Sequence, residues 1–199
     1  MEKARNQFES IYQQELKEDS SLGDLSRFEK LAKLINNENY TDYEYLGQVI
    51  TEALRCKTVF PTTSVYDITK DCTVANYNFK KGDSVCFVMS DGLHQNSSQW
   101  QRPYEFLPER FDSQDPLYLT PDGKKRNPCS FLAFSGGQRG CLGKSFAEIT
   151  LRILTLYLTE TFDFEFKDKE KYEGINNYPM AMAFMNKTIP IHVNLQKRQ

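Results

Sequence analysis

The chain has 199 residues, 39% hydrophobic and 26% charged, with a formal net charge of −2, the make-up of a globular protein with enough apolar material for one sizeable core. That charge leaves no basic footprint for nucleic acid, no apolar run is long enough to span a bilayer, and no amino-terminal signal pattern is read. The five cysteines, at positions 56, 72, 86, 129 and 141, are an odd number with no Cys-x-x-Cys pair, which argues against a zinc knuckle or a complete disulfide framework and for a reducing compartment.

The first predicted element is a charged amphipathic helix in which Phe8, Ile11, Tyr12 and Leu16 keep helical spacing. A polar connection through Ser20-Ser21-Leu22-Gly23 leads to a short helix around Phe28 to Ile35. The next helix has an apolar face of Leu46, Val49, Ile50, Ala53 and Leu54, with Thr41-Asp42-Tyr43-Glu44 read as its capping box. Glu52 and Arg55 lie one turn apart on its surface. Alone, Glu-x-x-Arg is a weak signal, because most such pairs are solvated contacts contributing about 0.3 to 0.5 kcal/mol.

Strands are predicted over Val59 to Tyr66, Cys72 to Phe79 and Val85 to Met89, with a turn at Lys81-Gly82-Asp83. Phe106-Leu107-Pro108-Glu109-Arg110-Phe111, preceded by Trp100 and Arg102-Pro103, reads as a proline-punctuated turn with aromatic anchors, Trp100 packing beside it. Residues 112–128, rich in Pro, Asp, Gly and Lys, read as an irregular surface connection. The tail, Met180 to Met185 followed by Ile189 to Leu195, reads as a closing hairpin whose methionines fill core. The two histidines, His94 and His192, have no second imidazole or carboxylate at ligand spacing and are assigned to a loop and a strand.

The most informative segment is Phe134-Ser135-Gly136-Gly137-Gln138-Arg139-Gly140-Cys141-Leu142-Gly143, a single cysteine among glycines after the apolar run Phe131-Leu132-Ala133-Phe134. Phe146, Ile149, Ile153, Leu154, Tyr157 and Leu158 then recur at helical spacing, so Cys141 sits where a loop becomes a helix. Unpaired amides and the positive dipole end there favour an anion, the thiolate form a metal needs. A phosphate-binding loop ending in Gly143-Lys144-Ser145 is the rival reading, but the glycine it requires five positions before Gly143 is replaced by Gln138. The plainest reading is a free cysteine in a glycine-rich loop.

Position for position, Phe134-x-x-Gly137-x-Arg139-x-Cys141-x-Gly143 resembles the cysteine-ligand signature of cytochromes P450. The resemblance implies that Cys141 is the axial ligand of a haem (iron protoporphyrin IX), that Arg139 pairs with a propionate and that Phe134 packs near the sulfur. It also implies that Glu52, Arg55 and Arg110 form a buried network beneath the loop, as structural supports and not chemical groups. It extends over essentially the whole chain and implies an α+β fold, mainly α with small β-sheets. Residues 1–199 are then a single, incomplete domain: the C-terminal portion of the P450 fold, beginning after the central helix whose acid and threonine activate oxygen. No catalytic residue is therefore expected within the chain.

The implied reaction inserts one oxygen atom from O2 into a small organic substrate, with electrons from an NADPH-dependent reductase or a ferredoxin-type donor. Expected for the isolated chain is a haem-binding but inactive fragment. The alternative is a non-catalytic remnant that binds haem weakly or not at all. Val59 to Ser64 and Met185-Asn186 resemble places where the family's substrates touch. Three features depart from the family pattern: an arginine that would meet a second propionate is replaced in the region of Tyr66, the proline usual soon after Arg55 is absent, with Pro61 further on, and Thr150 stands in place of a glutamate.

Overall fold

Helix α1 (Glu2–Glu18) opens the fold, burying Ala4 and Phe8, and the remaining helices assemble around that face. The computed structural model describes residues 2–35, 40–167 and 193–197. Helices α2 (Arg27–Leu34), α3 (Glu44–Cys56) and α4 (Lys144–Thr161) complete the helical side. Phe8, Leu22, Leu31, Leu34, Tyr43, Leu46, Ile50 and Leu156 form one core cluster, each helix contributing the stripe that its 3.6-residue period predicts. Phe8 stacks on both Tyr12 and Tyr43. Among the described residues, no helix is long and apolar enough to cross a membrane.

The helix ends are held differently from expectation. The capping box belongs to α2, where Ser26 and Glu29 exchange side-chain and backbone bonds. Helix α3 has Tyr43 at its N-cap with no side-chain cap bond, so the box read at Thr41 and Glu44 is not formed. A short 3-10 turn, Tyr40–Asp42, takes the place where the box would sit. Gln7 of α1 caps α3 from outside: its Oε1 accepts from the Tyr45 N–H at 3.2 Å and its Nε2 donates to the Asp42 carbonyl at 3.2 Å. The Tyr43 hydroxyl donates to the Leu34 carbonyl at the end of α2. Helices α3 and α4 cross closely at Gly47, where an added Cβ would lie 2.6 Å from Arg152 Nη2.

Three small antiparallel ladders complete the described residues. Strand β1 (Tyr66–Asp67) pairs with β4 (Ser84–Val85), and β2 (Cys72–Val74) pairs with β3 (Tyr77–Phe79). Cys72 to Phe79 is thus a hairpin and not one strand, because Ala75 and Asn76, at φ 48° and 69°, take the left-handed conformation of a two-residue turn. The Val59 to Tyr66 prediction also contracts: β1 starts at Tyr66, and upstream of it Thr62 makes an isolated bridge to Val88. Residues 112–128 hold the 3-10 turn Pro116–Tyr118 and an isolated bridge of Leu119 to Lys125 before a second 3-10 turn, Pro128–Ser130, begins.

Strand β5 (Phe162–Phe166) follows α4 and pairs with β6 (Val193–Lys197), from Phe162 opposite Lys197 to Phe166 opposite Val193. The predicted tail hairpin lies largely outside the described residues, as do its methionines, Met185-Asn186 and His192. The architecture is mainly helical with small sheets.

Candidate functional site

Glu52, Arg55 and Arg110 are brought together and are all fully buried. Glu52 is held bidentately, Oε2 by Arg55 Nε at 2.7 Å and Oε1 by Arg55 Nη2 at 2.9 Å. Arg110 Nε and the Leu107 N–H also donate to Oε1, at 3.0 and 2.8 Å. The planar fork of arginine suits this arrangement because it stays charged after desolvation and donates in fixed directions. The other guanidinium protons reach backbone carbonyls: Arg55 those of His94, Pro103 and Glu105, Arg110 those of Gln101, Arg102 and Glu105. The cluster thereby gathers α3, the turn before residue 95 and the Pro103–Phe111 segment at one point.

A third guanidinium joins from a direction that sequence reasoning missed. Arg126 lies 4.3 Å over the Trp100 ring, with Tyr118 and Phe111 at 5.2 and 5.8 Å. It donates to the carbonyls of Arg110 and Leu117, at 2.6 and 2.9 Å. Arg55 sits 5.2 Å from the Trp100 ring, so the indole lies close to two cations. Burial, then the positive charge of Arg110, pushes Arg126 down to about 10. Burial likewise lowers Arg110, against the opposing pull of Glu52. Beside the cluster, burial and then Glu52 raise the Cys56 thiol to about 11, which keeps it protonated. In the sequence Arg126 falls within residues 112–128, read as an irregular surface connection; only the enclosing aromatic rings distinguish it.

The cysteine loop starts from Phe131, whose ring meets those of Phe111, His94 and Trp100 at 5.6, 5.2 and 6.5 Å. The chain then folds on itself: the Ser135 N–H donates to the Leu132 carbonyl at 2.8 Å, and Ser135 and Gly137 take φ of 60° and 66°. A 3-10 turn, Gly137–Arg139, is closed by the Gly140 N–H on the Gly137 carbonyl at 3.1 Å. The Cys141 N–H returns to the Phe134 carbonyl at 2.9 Å, and the Lys144 N–H reaches the Cys141 carbonyl at 3.3 Å. Phe134, Gly137, Arg139, Cys141 and Gly143 therefore share one compact loop ahead of α4.

These bonds decide against the phosphate reading, since the amides of Ser135, Gly140, Cys141 and Lys144 are already committed to carbonyls within the loop. Cys141 is exposed, and so are the large apolar side chains Leu142 and Phe146. An added Cβ on Gly143 would stand 3.8 Å from the Cys141 Sγ, and one on Gly137 would meet nothing within 4 Å. Arg139 is exposed and Phe134 half-buried. Among the described residues, no three His, Cys, Asp or Glu side chains gather to hold a metal. Among the described residues, Cys141 stands as a single potential ligand, which suits a group that brings its own donors. A porphyrin brings its own ring of nitrogens and an apolar face for Leu142 and Phe146, so the residues present fit a haem.

A family model described as Cytochrome P450 matches residues 25–195. The chain is 29% identical over 155 residues to steroid 17-alpha-hydroxylase/17,20 lyase of Felis catus, covering 77% of this chain and 28% of that protein. It is 25% identical over 171 residues to isoflavone 3'-hydroxylase of Medicago truncatula, covering 83% and 32%. Among solved structures, the heme domain of cytochrome P450DA superposes with a TM-score of 0.63 at 18% identity, covering 88% of this chain and 34% of that one. A second crystallised P450, CYP102L1, gives a TM-score of 0.58 at 24% identity, with 81% and 33% covered. The chain thus spans about 30% of the length of these two curated relatives.

Proposed function

This chain belongs to the cytochrome P450 family, and we propose that residues 1–199 act as one part of its haem domain, with Cys141 as the axial thiolate ligand of the iron. The observation that carries this reading is the Cys141 loop: an exposed thiol whose backbone is pinned by the Cys141 N–H to Phe134 carbonyl bond, in a frame that matches the family's ligand signature. Arg139 then serves a haem propionate, Phe134 shields the sulfur, Gly137 supplies the positive φ of the turn, and Gly143 stands beside the sulfur. Glu52, Arg55 and Arg110 take no part in the chemistry and hold the loop's support in one geometry.

When bound, a thiolate-ligated haem supplies the activation of O2 for insertion of one oxygen atom into an organic substrate. The chain's own contribution is to present the sulfur and anchor one propionate. Electrons come from an NADPH-dependent reductase or a ferredoxin-type donor, and the substrate is a small organic molecule, in keeping with the hydroxylases among the relatives. Val59 and Phe60, about half exposed, stand in the segment assigned to substrate contact. Expressed alone, the 199-residue chain captures haem without turnover, since one ligand and one propionate contact do not exclude bulk water from a reactive centre.

The reduced carbon monoxide spectrum of the haem-loaded protein tests the ligand assignment. Cys141→Ser abolishes the long-wavelength thiolate band, because a neutral hydroxyl is a far weaker donor to iron than a thiolate. Survival of the band in that variant removes Cys141 from its role.

A further inference from the structure

His94 ends the π-helical turn Ser90–His94 and is completely buried, yet it belongs neither to the arginine cluster nor to the cysteine loop. Its polar groups point in three directions. The backbone carbonyl accepts from Arg55 Nη1 at 2.7 Å, which fixes the residue to the cluster. The ring Nε2 accepts from the Leu132 N–H at 3.0 Å, which fixes it to the irregular segment entering the loop. The ring Nδ1 is buried and has no hydrogen-bond partner among the described residues. A nitrogen that accepts an amide proton is itself unprotonated, so the single ring proton is assigned to Nδ1.

From Leu132 the connection continues through the backbone. The Leu132 carbonyl accepts from the Ser135 N–H, and two residues on, the Phe134 carbonyl accepts from the Cys141 N–H. Phe131, the preceding residue, lies against the imidazole with ring centroids 5.2 Å apart. A side chain without an acceptor would leave the Leu132 amide unpaired, a costly arrangement in a desolvated site, and a lysine would add a buried cation beside it.

We propose that His94 is a positioning residue for Cys141: its neutral ring clamps the Leu132 amide and so ties the cysteine loop to the buried Glu52–Arg55–Arg110 cluster. The part played toward haem rests on the assignment of Cys141 as its ligand. The clamp does not, because it is a bond within the protein.

The test is amide hydrogen exchange on the full chain, with and without added haem, for the unmodified protein, His94→Leu and His94→Gln. Leucine fills volume without an acceptor, whereas the glutamine Oε1 can stand near the position of Nε2. His94→Leu is expected to speed exchange over residues 131–141 by about tenfold, the effect of losing one buried hydrogen bond, while α1 keeps its protection. His94→Gln is expected to restore most of that protection, and with haem it keeps the thiolate band that His94→Leu loses.

Unchanged exchange in His94→Leu overturns the clamp, as does a glutamine variant that loses protection as fully as the leucine one. Should His94→Leu fail to fold, nitrogen-15 spectra of the unmodified protein decide: a proton on Nε2 at neutral pH overturns the proposal, and an unprotonated Nε2 supports it. Faster exchange in His94→Leu together with a thiolate band that survives Cys141→Ser supports the clamp and defeats only the ligand assignment.

Discussion

The arginine cluster and the cysteine loop stand side by side in the fold and differ in almost every physical respect. The cluster is sealed: Glu52, Arg55 and Arg110 are fully buried, and their polar atoms meet side chains, carbonyls or, for Glu52, the Leu107 amide. The loop is open: Cys141, Leu142 and Phe146 are exposed, and from Ser135 to Lys144 its backbone bonds are local, with the Leu132 amide reaching back to His94. Strong charge–charge contacts thus mark the support, and the group assigned to the chemistry lies where few contacts hold it. Burial of charge is a weak sign of chemistry when the group is inaccessible, in keeping with the structural role proposed for this cluster.

The contrast is broken most directly at its centre. Glu52→Ala is expected to destabilise the fold by roughly 3 to 5 kcal/mol in denaturant titrations, since it strands Arg55 and Arg110 as buried cations. A double-mutant cycle with Arg110 is expected to show coupling; additive effects would place the two residues apart. Cys141→Ser, by contrast, is expected to move stability by less than about 0.5 kcal/mol, as a change at an exposed site does.

Acid sharpens the comparison from the side of His94. Burial, and then the charge of Arg55, lowers this residue from 6.5 to about 4. The folded state therefore binds fewer protons there than the unfolded state, and the stability it confers is present above pH 6.5 and lost as pH falls toward 4. Across that window unfolding measurements are expected to show a loss of up to about 3 kcal/mol, strongly reduced in His94→Gln. An equal slope in the glutamine variant would assign the titration elsewhere.

Two smaller effects follow. Arg126→Met is expected to destabilise by about 1 to 3 kcal/mol through the unpaired carbonyls of Arg110 and Leu117 and the lost aromatic contacts. Gln7→Ala, which uncaps α3 far from the cysteine loop in sequence, is expected to lower stability by roughly 0.5 to 1 kcal/mol and to leave haem spectra unchanged.

The helices are legible in the sequence because each buries one stripe, and a stripe leaves a period. The Phe134 to Gly143 pattern is legible for a different reason: a tight loop around a cysteine restricts residue types within one short stretch. What escapes is whatever depends on a distant partner. Gln7 substitutes for the box read at Thr41 and Glu44 from 35 residues away from Asp42. Arg126 and His94 look like a surface charge and a loop residue until Trp100 and Leu132 are placed beside them. The turn at Ala75-Asn76 is missed because it lacks the glycine that marks most such turns.

Trp100 is the only tryptophan in the chain, 1% exposed, and lies close to the guanidinium groups of both Arg55 and Arg126. The protein thereby carries a built-in optical reporter for one region alone. Emission from a single indole, shielded from water and donating its N–H to the Leu93 carbonyl, is governed by the integrity of the arginine cluster. A haem held at the proposed site would quench that emission, so loosening of the arginine cluster and capture of haem are separable by wavelength and by intensity in one fluorescence titration.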